Sequence, residues 1–229
     1  MKIDFDIKYS PKSFNEMCEV ATRLGLDALV IRAPKGVVVP TSTHLKIFSG
    51  IETEWDAVYE IEALQDFLSG KDAGKTEKKT VHGKALSIFP TKVQFPENLP
   101  TSLFDLIETV SKMGGVIISM HDDNNATIPL LRDDSKQVYQ FHASRIRPYK
   151  FRDVALMLPY VNLAVAGSGA RNPLELRNGA YTYFSAEVTT NEGLIEAIRN
   201  KANTRLYVRK GGQDIRIEET VPRLTPSMR

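Results

Sequence analysis

The sequence predicts an α/β fold in which helices cover a largely parallel sheet. Residues Lys2 to Lys8 alternate apolar and polar side chains, which is typical of a strand with one buried face. A helical spacing of apolar residues follows from Phe14 to Leu24. The apolar run from Ala28 to Ile31 then indicates a strand buried on both faces. Because strand, helix and strand alternate again further along the chain, the sheet is either open and doubly wound or closed into a barrel.

The first helix has recognisable ends. Ser13 and Glu16 have the spacing of a capping box, and Gly25 is typical of a helix C-terminus. The lone cysteine, Cys18, lies on the apolar face of this helix, so we expect it to be buried as a small hydrophobic side chain. It cannot form an internal disulfide.

Three later segments repeat the pattern of a helix followed by a strand. The predicted helices span 103–113, 151–158 and a segment capped by Thr189 with Glu192, and the strands after them span 116–120, 161–165 and 205–208. Polar segments without periodicity at 70–80 and 90–100 are predicted to be surface loops. Gly211-Gly212 predicts a hairpin turn, residues 1–217 are predicted to form one domain, and 218–229 are predicted to be a tail.

Composition excludes several classes of protein. The chain of 229 residues has 42% hydrophobic and 25% charged residues, which is typical of a folded globular protein. A net charge of +2 is too small to indicate nucleic-acid binding by itself. We find no apolar run of about 18 residues and no signal peptide, so we expect a cytoplasmic protein without a membrane partner. Phosphate-loop and dinucleotide motifs are absent, which argues against a nucleotide cofactor.

Reactive groups of an α/β protein collect where the parallel strands end, and several such segments resemble one known family. They include Leu24-Gly25-Leu26-Asp27, Gly50-Ile51-Glu52 and Gly114 to Ile118 followed by His121. In this order they resemble the motifs of the polymerase and histidinol phosphatase (PHP) family, over roughly residues 2 to 200. The resemblance implies a single-domain α/β fold, a PHP-like distorted (β/α)7 barrel of the TIM type.

The chain departs from the PHP pattern at most of the family's metal ligands. Asp6 and Lys8 stand where the family has its first histidine pair, and Gly167 to Arg171 replaces a late Gly-Ser-Asp-x-His segment. The resemblance leaves Asp6, Glu52 and His121 as candidate metal ligands. Such a set is too small for a cluster of several ions, so we expect either no cofactor or a single divalent ion, Mn, Zn or Mg. His121 precedes two aspartates, and a hydrogen-bonded role in a polar loop is the alternative for it.

Three cations occupy strand ends of the predicted barrel. Lys8, Arg32 and Arg171 are therefore candidates for binding a phosphate or a carboxylate in place of metal ions. The alternative is that they are solvated charges on the rim.

A basic segment with aromatic residues is a candidate RNA-binding surface. It comprises Arg145, Arg147, Tyr149, Lys150 and Arg152, and a solvated face is its alternative. The segment from Ser168 to Leu176 also resembles the thirty-kilodalton protein subunit family of ribonuclease P. This second resemblance implies a role in tRNA processing, with RNA and other subunits of a ribonucleoprotein as partners.

Two functions follow from these patterns. The first is a degenerate, non-catalytic PHP-like protein associated with RNA, which resembles the ribonuclease P subunit. The alternative is a metal-dependent phosphoesterase with a reduced or altered metal site. Whether the chain is an enzyme stays open at this point; if active, it would hydrolyse phosphoesters, alone or within a ribonucleoprotein, and the sequence identifies no catalytic residue.

Overall fold

The computed structural model describes residues 1–62, 76–93, 98–119, 137–142, 163–200 and 204–217. The strands in these ranges are β1 (Lys2–Lys8), β2 (Ala28–Ala33), β3 (Lys46–Glu62), β4 (Thr76–Ile88), β5 (Val116–Ser119), β6 (Gln137–His142), β7 (Leu163–Gly167), β8 (Ala180–Phe184), β9 (Thr204–Lys210) and β10 (Gln213–Arg216). The helices are α1 (Phe14–Arg23), α2 (Leu103–Lys112) and α3 (Asn191–Arg199), with a 3-10 turn at Glu175–Asn178.

One mixed sheet contains all these strands, in the order β10-β9-β8-β1-β2-β3-β4-β5-β6-β7. The runs β1-β2-β3 and β5-β6-β7 are parallel, and the remaining pairs are antiparallel. The α/β class is therefore confirmed, as is the hairpin that turns at Gly211-Gly212.

The closed (β/α)7 barrel is not confirmed, because no described ladder joins the edge strand β7 to the other end of the sheet. Buried side chains bridge the gap instead. The Ala166 amide donates to the Thr182 hydroxyl at 2.8 Å, and the Ser168 amide donates to Asp4 Oδ1 at 2.7 Å. Just beyond β7, the Lys8 amide donates a backbone hydrogen bond to the Ala170 carbonyl at 2.9 Å. Side-chain oxygens thus accept hydrogen bonds from two backbone amides at β7 that strand pairing would otherwise use.

The core consists of an inner cluster and two outer ones. The inner cluster unites residues from distant strands, among them Phe5, Val30 and Val138, so the sheet curls around one interior. Helix α3 packs against this interior, whereas α1 and α2 each cover an outer face. Cys18 is buried in the cluster beneath α1, as predicted.

Some local predictions differ from the structure. Residues 76–80 belong to β4 rather than to a loop, because β4 pairs with β3 from Ile51 opposite Ser87 to Glu62 opposite Thr76. The N-cap of α3 is Thr190 rather than Thr189, and its hydroxyl accepts the Gly193 amide at 3.1 Å. The predicted helix at 151–158 and the tail at 218–229 lie outside the described residues.

No helix within the described ranges combines the length and the apolar character that a membrane crossing requires.

Candidate functional site

Three charged residues meet where the parallel pairing of β1, β2 and β3 ends. Parallel pairing aligns Lys8 with Arg32 and Arg32 with Gly50, so Glu52 lies just beyond the aligned positions. Arg32 lies between Asp6 and Glu52. Its Nε atom is 2.7 Å from Asp6 Oδ1, and its Nη1 atom donates to Glu52 Oε2 at 2.6 Å.

The Arg32 guanidinium is nearly enclosed by the two carboxylates and the strands. The side chain of Asp6 is 1% exposed, that of Arg32 is 10% exposed and that of Glu52 is 26% exposed. The contact with Asp6 is an ion pair at short distance without the alignment of a regular hydrogen bond. Because buried charges need partners, the ion pairs of Arg32 with Asp6 and Glu52 offset the cost of burying these side chains.

Lys84 joins this group from the neighbouring strand β4. Its Nζ atom donates to Glu52 Oε1 at 2.6 Å and lies 3.3 Å from Glu54 Oε1. Lys84 was not among the predicted site residues, because the sequence places it beside a polar, lysine-rich segment that is typical of a loop. Only the antiparallel pairing of Glu54 with Lys84 reveals its role. We name Lys8, Arg32, Lys84, Asp6, Glu52 and Glu54 the strand-end cluster.

The electrostatics of Glu52 reflect this crowding by cations. Burial alone would raise its pKa, but the hydrogen bond from Lys84 and the charges of Arg32, Lys84 and Lys8 outweigh burial and lower the pKa below its usual value. The same hydrogen bond raises the pKa of Lys84. Both groups are therefore charged at neutral pH.

Lys8 differs from the other two cations of the strand-end cluster. Its side chain is exposed, and its charge acts on Glu52, but no ion pair holds its ammonium among the described residues. Arg32 also retains an Nη2 group without a described partner. These two groups can donate to an incoming anion.

The backbone at Asp6 is unusual. Its φ angle is 66°, in the left-handed region that residues other than glycine rarely adopt, and the register of β1 against β2 shifts between Asp4 and Ile7. Such a bulge redirects a side chain, and the strained conformation costs on the order of 1–3 kcal/mol. The bulge and the contact with Arg32 thus occur at the same residue.

A cluster of metal ions does not fit the described part of this site. No group of three or more histidine, cysteine or acidic side chains with metal-binding geometry occurs among the described residues. In addition, an ion bound to Asp6 and Glu52 would face the Arg32 guanidinium that both carboxylates already contact. His121, the third predicted ligand, lies outside the described residues.

Among the described residues, Arg171 is the remaining predicted site residue, and no described contact joins it to this cluster. Arg171 is exposed, and its backbone amide donates to Glu175 Oε2 at 2.7 Å, with no described contact between its side chain and the cluster. Arg145, Arg147, Tyr149, Lys150 and Arg152 lie outside the described residues. Their predicted roles stay predictions.

Gln140 is a further polar group that sequence reasoning missed. It follows Val138 of the inner core by two residues in β6, so its side chain points to the same interior. The side chain is fully buried, and neither amide atom has a hydrogen-bond partner among the described residues. A buried, unpaired amide is costly, and a bound molecule is one means of satisfying it.

Asp4 is a buried carboxyl two residues before Asp6. Besides the Ser168 amide, its surroundings include Gly179, whose added Cβ would lie 3.5 Å from Asp4 Oδ2. Burial raises the pKa of Asp4 from 3.8 to about 8, with a smaller contribution from the Asp6 charge. Asp4 is therefore largely protonated at neutral pH.

We expect the protonation of Asp4 to make stability depend on pH. Because its pKa is higher in the folded chain than in the unfolded chain, its contribution is full below pH 3.8 and is lost as pH rises towards about 8. Over that window the wild type should lose up to about 1.4 kcal/mol per pH unit relative to Asp4→Asn, which retains the acceptor for Ser168. Urea unfolding of both proteins at a series of pH values measures the difference. An unfolding free energy that changes equally with pH in the two proteins would contradict this expectation.

Comparison with known proteins agrees with the fold. No family model matches the chain, and no curated protein matches it. A solved two-domain protein from Bacteroides vulgatus, described as containing a predicted PHP-like metal-dependent phosphoesterase, is similar with a TM-score of 0.52 at 15% identity. The match covers 91% of this chain, which spans only 65% of that protein.

A second solved structure is PsfC from Pseudomonas syringae. It is similar with a TM-score of 0.54 at 14% identity, over 85% of this chain and 87% of that one. At these identities the likeness is one of fold. The chain has a mixed α/β fold similar to that of a PHP-like phosphoesterase structure.

Proposed function

We propose that this chain binds phosphoesters at the strand-end cluster, with side-chain cations in the place that the PHP resemblance assigns to metal ions. The observation that carries the proposal is the position of Arg32 between Asp6 and Glu52, with Lys8 beside them. The carboxylates fix the guanidinium, and Lys8 adds a mobile charge. A fixed guanidinium with free N–H groups is a good phosphate donor.

The strand-end cluster needs no metal ion to neutralise its carboxylates. It contains three cations and three carboxylates, so their formal charges cancel. A phosphate would contact Lys8 and the outer edge of Arg32 rather than displace Glu52.

Hydrolysis of the bound phosphoester is the second candidate, as a PHP-like phosphoesterase with a reduced metal site. The fold similarity to a protein described as a PHP-like metal-dependent phosphoesterase favours it. Asp6 and Glu52 would have to exchange Arg32 for a divalent ion, with His121 as a further ligand. Such an exchange predicts turnover only when a metal is supplied.

The RNA-associated function, with its resemblance to the ribonuclease P subunit, stays a prediction. The basic and aromatic residues that suggest it lie outside the described residues, and no described contact bears on it. The loss of catalysis that it assumes is likewise a proposal.

Lys8→Gln tests phosphoester binding most selectively, because Lys8 has no described ion-pair partner whose loss would unfold the chain. We expect the variant to bind phenyl phosphate about tenfold more weakly than the wild type, in accord with the loss of one charge-assisted hydrogen bond. Calorimetric titration in EDTA measures this. Lys92→Gln, an exposed lysine outside the cluster, is the matched control.

The same proteins distinguish binding from turnover. Release of p-nitrophenol from p-nitrophenyl phosphate with and without added Mn²⁺ reports hydrolysis. If the wild type shows no binding of phenyl phosphate in EDTA but hydrolyses the ester with Mn²⁺, the phosphoesterase candidate replaces the first. If Lys8→Gln and Lys92→Gln bind equally, the assignment of Lys8 is wrong.

A further inference from the structure

A cavity of about 490 Å³ lies beside β2 and β3, outside the strand-end cluster. Ala33 and Ile51 form part of its wall and directly neighbour Arg32 and Glu52 in sequence. Consecutive residues 47–51 of β3 line it, so both faces of this strand contribute, and none of the six residues of the strand-end cluster is among the described lining residues. We therefore treat it as a separate site.

The connection between β2 and β3 explains why this cavity exists. Parallel strands are usually joined by a helix that covers the outer face of the sheet. Residues 34–45 connect β2 to β3 without a helix, so this connection does not cover β3 as a helix would. Gly36, Val37 and Val38 of this connection form one rim of the cavity.

Asn191 at the start of α3 shapes the opposite wall. Its side-chain Nδ2 donates to the Ser49 carbonyl at 3.1 Å and to the Phe89 carbonyl at 3.0 Å. These carbonyls belong to the start of β3 and to the segment after β4, which separate beyond the ladder pair of Ile51 and Ser87. The Asn191 amide links these two segments, so hydrogen bonds fix this wall of the cavity.

The described lining residues include no ionisable side chain, although 25% of the residues in the chain are charged. The lining consists of apolar groups such as Phe89 and Pro90 and of hydroxyl groups such as Thr91 and Thr189. Beside it, Glu192 accepts hydrogen bonds from the amide and hydroxyl of Thr91, which adds a negative charge. An anion would lose water here without gaining an opposite charge, and the apolar groups favour uncharged molecules.

The rim adds exposed apolar surface to the cavity. Val37 is 41% exposed and Val38 is 87% exposed, and they are neighbours at one edge of the cavity. The volume falls within the range of about 300–1,000 Å³ that is typical of small-molecule sites. It is too small for a folded partner.

We propose that this cavity binds an uncharged, mainly apolar small molecule, aromatic or alicyclic, that carries at most a hydroxyl group or an aryl amine. The ligand would pack against Phe89 and Ile51, with Val37 and Val38 over its exposed side. The site is independent of the strand-end cluster and of the proposed phosphoester binding.

Fluorescence titration of the full chain with N-phenyl-1-naphthylamine, a neutral naphthalene probe, tests the proposal. We expect saturable binding that 1-naphthol displaces and 1-naphthoate displaces about tenfold less well, because the carboxylate finds no partner. Val38→Asp should weaken binding of the probe at least about tenfold, since it places a charge at the rim.

Val58→Asp is the matched control, because Val58 is also an exposed valine, at 58%, but lies on the β3–β4 hairpin outside the cavity. It should bind the probe as the wild type does. Equal weakening by the two substitutions, displacement by naphthoate as effective as by naphthol, or no saturable binding would each overturn the proposal.

Discussion

Replacement of Arg32 by alanine is expected to destabilise the fold by about 3–5 kcal/mol, because it leaves the buried Asp6 carboxylate without its cation. Urea unfolding of Arg32→Ala and the wild type measures the loss.

A double-mutant cycle separates the ion pair from lost packing. Asp6→Asn retains the size of the side chain and suits the left-handed backbone at this position, since asparagine tolerates it. If the account is right, Arg32→Ala costs much less in the Asp6→Asn background than in the wild type. Additive losses would mean that Arg32 contributes mainly through packing.

The second large effect is expected at Gly167, where β7 meets β1. A Cβ atom at this position would lie 2.3 Å from the Phe5 carbonyl oxygen and 2.8 Å from its carbonyl carbon. These are backbone atoms that cannot move aside without separating the strands. Gly167→Ala should therefore destabilise the chain by about 3 kcal/mol, at the upper end of the range for overpacking.

Gly193→Ala is the matched control for this substitution. Gly193 lies in α3, and the nearest atom to its added Cβ would be 3.5 Å away. Alanine favours the helix there, so stability should stay equal or rise by about 0.5–1 kcal/mol. Thermal unfolding of the two variants compares them directly. A Gly167→Ala protein as stable as the wild type would show that β7 does not approach β1 this closely.

The fold was predictable where the sequence pattern of a segment by itself indicates the structure that the segment adopts. The alternation in Lys2–Lys8, the helical spacing of α1 and the apolar run at β2 each indicate their structure by themselves. The long hairpin of β3 and β4 was not predicted, because the outer half of β4 is polar and has no periodic apolar pattern. The outer half of β3 does alternate, with Trp55, Ala57, Tyr59 and Ile61 at every second position, and this signal was missed.

The site was predictable in its members but not in its arrangement. Asp6 and Glu52 were separate metal candidates, and Arg32 was a separate anion candidate. That the arginine fills the space between the two carboxylates depends on the strand register and on the bulge at Asp6. Neither feature follows from spacing. Gln140 carries no signal at all, because a glutamine in a strand of this composition is equally typical of a solvated face.

The most direct test of the central claim is thermal unfolding of the wild type and Arg32→Ala, each with excess EDTA and with excess Mn²⁺. If Arg32 supplies the positive charge that holds Asp6 and Glu52, the wild type unfolds at the same temperature in both conditions, and only Arg32→Ala gains stability from the ion. Marked stabilisation of the wild type by Mn²⁺, lost on adding EDTA, would contradict the account.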